Sequence, residues 1–122
     1  MEFTREIAEK VFKNIGKTPE SICKPDPRRR FDIEVCFRDD CGCTLQVDIW
    51  KNGRIDFSTT LDYRGFFDTS DVKFFESINV TSWEIYQTKI AFKPTIEFTV
   101  KVTNEKEFED ITRKVFDQYF YH

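Results

Sequence analysis

The hydrophobic period of this chain changes from 3.6 to 2 at Arg30, and that change restricts the folds open to it. Phe31, Ile33, Val35 and Phe37 alternate with Asp32, Glu34 and Cys36, the pattern of a strand with one buried face. Asp39 to Gly42 is turn material, after which Leu45, Val47 and Ile49 alternate with Thr44, Gln46 and Asp48. Beyond Lys51-Asn52-Gly53 a third run turns Ile55, Phe57 and Leu61 inward, with Asp56, Ser58 and Thr60 facing out. Residues 30–63 therefore read as a three-strand antiparallel meander.

Asn52-Gly53 invites a two-residue type I′ turn, but the side-chain faces reject it. Pairing Lys51 with Arg54 would set Ile49 opposite Asp56, on the other face, and a one-residue slip inverts every side chain. A three-residue loop over Lys51, Asn52 and Gly53 pairs Trp50 with Arg54 and Ile49 with Ile55, and makes Gly53 the left-handed residue of a G1 bulge. The same logic pairs Phe37 with Cys43, Val35 with Leu45 and Phe31 with Ile49 in the first hairpin.

Helical spacing returns at both ends. Ile7, Ala8, Val11, Phe12 and Ile15 form an apolar stripe in residues 1–16, with Thr4 as N-cap and Gly16 and Pro19 as the stop. Residues 17–29 hold three of the four prolines and read as an extended connector. Residues 64–79 fit either a strand or a short helix carrying Val72, Phe75 and Ile78, capped by Ser70 or Asp71. Residues 80–103 read as a hairpin turning at Lys93-Pro94-Thr95, its second strand directing Ile96, Phe98, Val100 and Val102 inward. Its first strand changes parity, which a bulge near Tyr86 would reconcile. Residues 104–121 are a helix with Asn104 and Glu107 spaced as in a capping box and a stripe of Phe108, Ile111, Val115 and Tyr119. The expected architecture for these 122 residues is a single α+β domain. It is a two-layer sandwich in which an antiparallel meander sheet of about five strands carries the N- and C-terminal helices on one face. Burial is expected for Val35, Leu45, Val47, Ile55, Phe57, Phe98 and Val100.

The paired strands stack their polar residues into rows. In the register above Asp32, Asp48 and Asp56 fall side by side, with Arg30, Trp50 and Arg54 in the adjacent row. Opposed like charges destabilise a strand pair, so three aspartates in a row need compensation. Arg30 and Arg54 supply it if they reach diagonally to the carboxylates while lying over Trp50 in cation–π contact. An outside partner is the alternative, either a divalent cation or a basic protein surface with Trp50 as its aromatic anchor. Protein is favoured over metal, because metal loops bring backbone carbonyls and glycine turns that this row lacks. The partner-binding candidates are thus Arg30, Asp32, Asp48, Trp50, Arg54 and Asp56.

Nothing in the sequence assembles a catalytic centre. His122 is the sole imidazole, and no G-x-S-x-G elbow, P-loop or G-x-G-x-x-G occurs among four glycines. No catalytic residue, metal ligand or cofactor is therefore assigned. Cys23, Cys36, Cys41 and Cys43 match no zinc-knuckle spacing. With no signal-like N-terminus and a core rich in Phe they read as reduced thiols in a cytoplasmic protein. The net charge of −3 opposes nucleic-acid binding despite Arg28-Arg29-Arg30, and no apolar run is long enough for a membrane span. A strand at Ile96 to Val102 with few guards beyond Glu97 and Lys101 makes a homodimer through a sheet edge or a helix face an expectation.

These features favour a noncatalytic protein-binding module, such as an inhibitor, an immunity protein or a phage anti-defence protein. The bias toward Phe, Ile, Lys, Asp and Glu fits an AT-rich genome and so a phage or mobile-element accessory protein. The order of elements resembles that of small acidic secretion chaperones, which implies a chaperone-like adaptor as one alternative. A small-ligand-sequestering domain and a carboxylate-based metal-dependent hydrolase are the others.

Overall fold

Residues 2–23, 28, 32–38, 44–60, 67–86 and 94–120 are described in a computed structural model of the chain. The first helix, α1 (Arg5–Asn14), starts where the Thr4 side chain accepts the Ile7 N–H at 3.4 Å. It buries Ala8, Val11 and Phe12. It ends at Gly16, whose φ of +76° lets its own N–H reach the Lys13 carbonyl and that of Lys17 reach Phe12, at 3.1 and 3.0 Å. That pair of bonds is the glycine-dependent closure of a helix C-terminus.

The connector is more structured than its prolines imply. Ser21–Cys23 form a short strand, β1, antiparallel to β2 (Ile33–Arg38) with Ile22 opposite Val35. Three residues carry too little alternation to reveal themselves, and the neighbouring ladder is what holds them extended. The meander continues through β3 (Thr44–Ile49) and β4 (Arg54–Thr60). After a helix come β5 (Ser82–Tyr86) and β6 (Thr95–Lys101). The result is a six-stranded sheet, one strand more than expected, ordered β1-β2-β3-β4-β6-β5 and antiparallel at every pairing.

This order overturns one expectation. The strand around Ile96 to Val102 is not an edge, because β6 lies between β4 and β5. The chain leaves β4, crosses through a helix and returns one position further out before filling the gap. Sequence adjacency suggests the opposite order. Thr95 also belongs to β6, paired with Tyr86, rather than to the turn. The bulge proposed near Tyr86 concerns residues 87–93, outside the described residues, as does Leu61.

All seven expected core residues are fully buried on the helix-covered face. Phe37 packs edge-on against Phe12 of α1 and Phe116 of the C-terminal helix, at ring separations of 4.9 and 4.8 Å. That helix, α3 (Glu105–Tyr119), is capped by the Asn104 side chain, which accepts the Glu107 N–H at 2.8 Å. The ambiguous segment is helical: α2 (Thr69–Ser77) lays Phe74 and Phe75 against Phe98. Its cap is Asp68 rather than Ser70 or Asp71, and Asp71 at the third helical position returns a bond to the Asp68 N–H at 3.0 Å. The buried Asp71 carboxylate also accepts the Tyr119 hydroxyl at 2.6 Å, which ties α2 to α3. No helix among the described residues is long and apolar enough to cross a membrane.

Candidate functional site: the polar face of the sheet

The polar face is organised around Gly53. Trp50 pairs with Arg54 through a 2.9 Å N–H to carbonyl bond, Ile49 lies opposite Ile55, and Gly53 adopts φ +94°. This is the three-residue bulged loop expected from the alternation of faces. The glycine is required twice over, since a Cβ there would also lie 2.2 Å from the Val102 carbonyl oxygen.

The first hairpin is displaced by two residues from the expected register. Phe37 faces Leu45, Val35 faces Val47 and Ile33 faces Ile49. A two-residue slip keeps every side chain on its own face, so alternation alone cannot detect it. It does change which polar residues become neighbours. Glu34, not Asp32, lies opposite Asp48, and Asp48 lies opposite Asp56. Asp32 moves to the row of Trp50, where its carboxylate accepts the Lys51 N–H at 2.8 Å and fastens the turn. Arg30 lies outside the described residues.

Of the remaining candidates, Arg54 and Asp56 form a closed unit. The Arg54 guanidinium donates to both Asp56 oxygens at 3.2 and 3.3 Å and sits 4.2 Å from the centre of the Trp50 ring. The Thr99 hydroxyl adds a third donor to Asp56 at 2.6 Å. Asp56 therefore does not face solvent as expected. It is 6% exposed, its carboxylate satisfied from two strands. Trp50 is half-buried with Arg54 over its ring, not an open anchor.

Asp48 has no such arrangement. It accepts one bond from Gln46 at 3.0 Å, and its neighbours across the ladder are the acids Glu34 and Asp56. Burial pushes its carboxyl up to about 6, and the nearby negative charges of Glu34, Asp56 and Glu97 add to the effect against the opposing Gln46 bond. Glu97 lies one row over, opposite Ser58 on β4 and Glu84 on β5. Its carboxyl is also raised, first by burial and then by Asp56 and Glu84, with Arg54 opposing. Among the described residues Glu34, Asp48, Asp56, Glu84 and Glu97 thus share a face with Arg54, whose guanidinium is engaged by Asp56. Glu84 and Glu97 are not among the sequence candidates for the site, whose rows span only the three meander strands. Extending the alternation through β6 would have exposed Glu97.

At the far end of this face Arg54, Ser82, Glu84, Glu97 and Thr99 line an open polar recess of about 230 Å³. Beyond it the edge strand β5 carries Trp83, Ile85 and Tyr86, the large hydrophobic side chains exposed among the described residues. Near the opposite edge Cys23 and Cys36 are free thiols, with Cys41 and Cys43 outside the described residues. Burial is the main cause raising both thiols, and Glu34 adds to it, which disfavours the reactive thiolate. Among the described residues no three His, Cys, Asp or Glu side chains converge closely enough to share a metal ion. No family model, curated protein or solved structure matches the chain.

Proposed function

We propose that this chain is a noncatalytic protein-binding module whose polar sheet face receives a basic surface of its partner, as an inhibitor, immunity protein or phage anti-defence protein would. The observation that carries the reading is Asp48. Its half-buried carboxyl is bordered by Glu34, Asp56 and Glu97, and burial with these charges pushes it up to about 6. A lysine or arginine arriving from outside would relieve this repulsion, and the relief appears as binding energy. Arg54 does not provide it, being engaged by Asp56 and Trp50.

The proposal has a linkage consequence. A cation that docks beside Asp48 favours its ionised form, so binding releases a proton and tightens as pH rises from 5 to 7. The partner would be captured from host lysate with the wild-type chain, then titrated against wild type, Asp48→Asn and Glu34→Gln at several salt concentrations. The expected result is slower association and a flatter salt dependence for both variants, since attraction on this face is screened over ~8–10 Å at physiological salt. A partner that binds wild type and both variants alike, at every pH and salt, sinks the proposal. Melting that depends on calcium or magnesium and disappears in Asp48→Asn would instead mark a cation site.

A further inference from the structure

Among the described residues the sheet ends at β5, and this edge lacks the usual protection. Natural edge strands carry lysines, prolines or bulges that block pairing with a further strand. Ser82–Tyr86 contains no lysine and no proline, and its five residues pair in unbroken register with Thr95 to Thr99. All five are exposed. Trp83, at 46% exposure, and Ile85 leave apolar surface open on one side of this edge, and Tyr86 on the other.

The two sides of the strand differ in chemistry. Trp83 and Ile85 lie opposite Phe98 and Ile96, on the helix-covered face. The Trp83 ring stacks on Phe67 at 5.0 Å and leans on Phe75 at 5.7 Å, which fixes an aromatic shelf with its outer part open. Ser82, Glu84 and Tyr86 lie on the polar face, where Glu84 stands directly opposite Glu97 beside the recess lined by both. Two carboxylates abreast next to an unpaired edge ask for a positive charge in the next strand position.

We infer that β5 is a strand-addition site that takes an extended basic segment of a partner as a seventh strand. Residues of the segment opposite Trp83 and Ile85 would be apolar, and the one opposite Glu84 would be lysine or arginine. Main-chain hydrogen bonds supply affinity in such a mode, and alternate side chains supply selectivity. This inference rests on the reading above for the positive charge of the partner and adds the place and geometry of its docking. Charge also opposes a second copy in the register that matches the apolar side chains. A two-fold pairing of β5 with itself that sets Trp83 against Ile85 brings Glu84 against its own symmetry mate.

The test uses two synthetic seven-residue peptides, one alternating lysine with valine and one alternating glutamate with valine. Each is titrated into the isotope-labelled full chain and followed by amide shifts and amide hydrogen exchange. The lysine peptide is expected to bind at least ten-fold more tightly than the glutamate peptide, with exchange slowed at Trp83 to Tyr86. Glu84→Lys, an exposed change that leaves the core intact, is expected to invert the preference. Equal affinities, slowed exchange elsewhere in place of β5, or no binding of the lysine peptide at millimolar concentration would overturn the inference. So would a dimer in sedimentation that Ile85→Lys dissolves, because the edge would then belong to a second copy. The two readings fail separately. A captured partner that responds to Asp48→Asn but not to Glu84→Lys removes strand addition and leaves the basic partner in place. If the lysine peptide pairs with β5 while the captured partner ignores Asp48→Asn, the binding role of the Asp48 row falls alone.

Discussion

Asp48→Asn is expected to make the protein more stable near neutral pH, the reverse of what most buried polar substitutions do. In the folded chain burial and three neighbouring acids hold the Asp48 carboxyl up to about 6, against an ordinary value of 3.8. The folded state therefore retains the proton more strongly than the unfolded chain does. The stabilisation from this group is complete below pH ~3.8 and is lost as pH rises through ~6. At 1.36 kcal/mol per unit the full shift would correspond to about 3 kcal/mol. The side chain is only half-buried, so screening reduces the expected effect to about 1–2 kcal/mol. Asparagine has the same shape, keeps an oxygen for the Gln46 amide at 3.0 Å, and removes the charge. Urea unfolding of wild type and Asp48→Asn at pH 4, 5, 6 and 7.5 isolates the effect, since the other carboxylates titrate in both proteins. The variant's advantage should grow between pH 4 and 6.5 and level off above it. A variant that is less stable at pH 7.5, or a difference that does not change with pH, would refute the electrostatic account of this face.

Gly53→Ala should destabilise the protein by at least about 2 kcal/mol. A left-handed backbone alone costs ~1–2 kcal/mol with a Cβ present, and the Val102 carbonyl stands 2.2 Å from that Cβ; an unchanged urea midpoint would contradict this. Tyr119→Phe removes the donor to the buried Asp71 carboxylate, which should lower stability by about 1–3 kcal/mol and speed amide exchange in α2 more than in α1. Phe98→Ala vacates the place where Phe57, Phe74, Phe75 and Tyr119 meet and should cost about 3–5 kcal/mol in chemical denaturation. Thiol titration without reductant should find Cys23 reacting faster than the half-buried Cys36, both more slowly than an unhindered thiol because burial raises them.

The amino-acid sequence by itself determined which side of each meander strand is buried, where the two terminal helices begin, and the form of the loop at Gly53. Each of these follows from information local to a few residues: a period of 2 or 3.6, a capping side chain, or a turn whose length must match the faces on either side of it. Position along a strand pair is not local in that sense. Shifting β2 against β3 by two residues preserves all the burial of Val35, Phe37, Leu45 and Val47. Only the three-dimensional packing, with Asp32 fastened to the Lys51 N–H, selects the register that puts Glu34 beside Asp48. The placement of β6 inside the sheet and β5 at its edge is likewise a property of the crossover through α2, not of either strand. Asp56 shows the same division within one residue. Its alternation placed it correctly on the polar face, yet its burial depends on Arg54 from its own strand and Thr99 from a strand 43 positions away. A carboxylate's environment is the sum of groups brought together by pairing. The tertiary structure therefore decided that Asp56 is satisfied and that Asp48, beside Glu34, bears the repulsion.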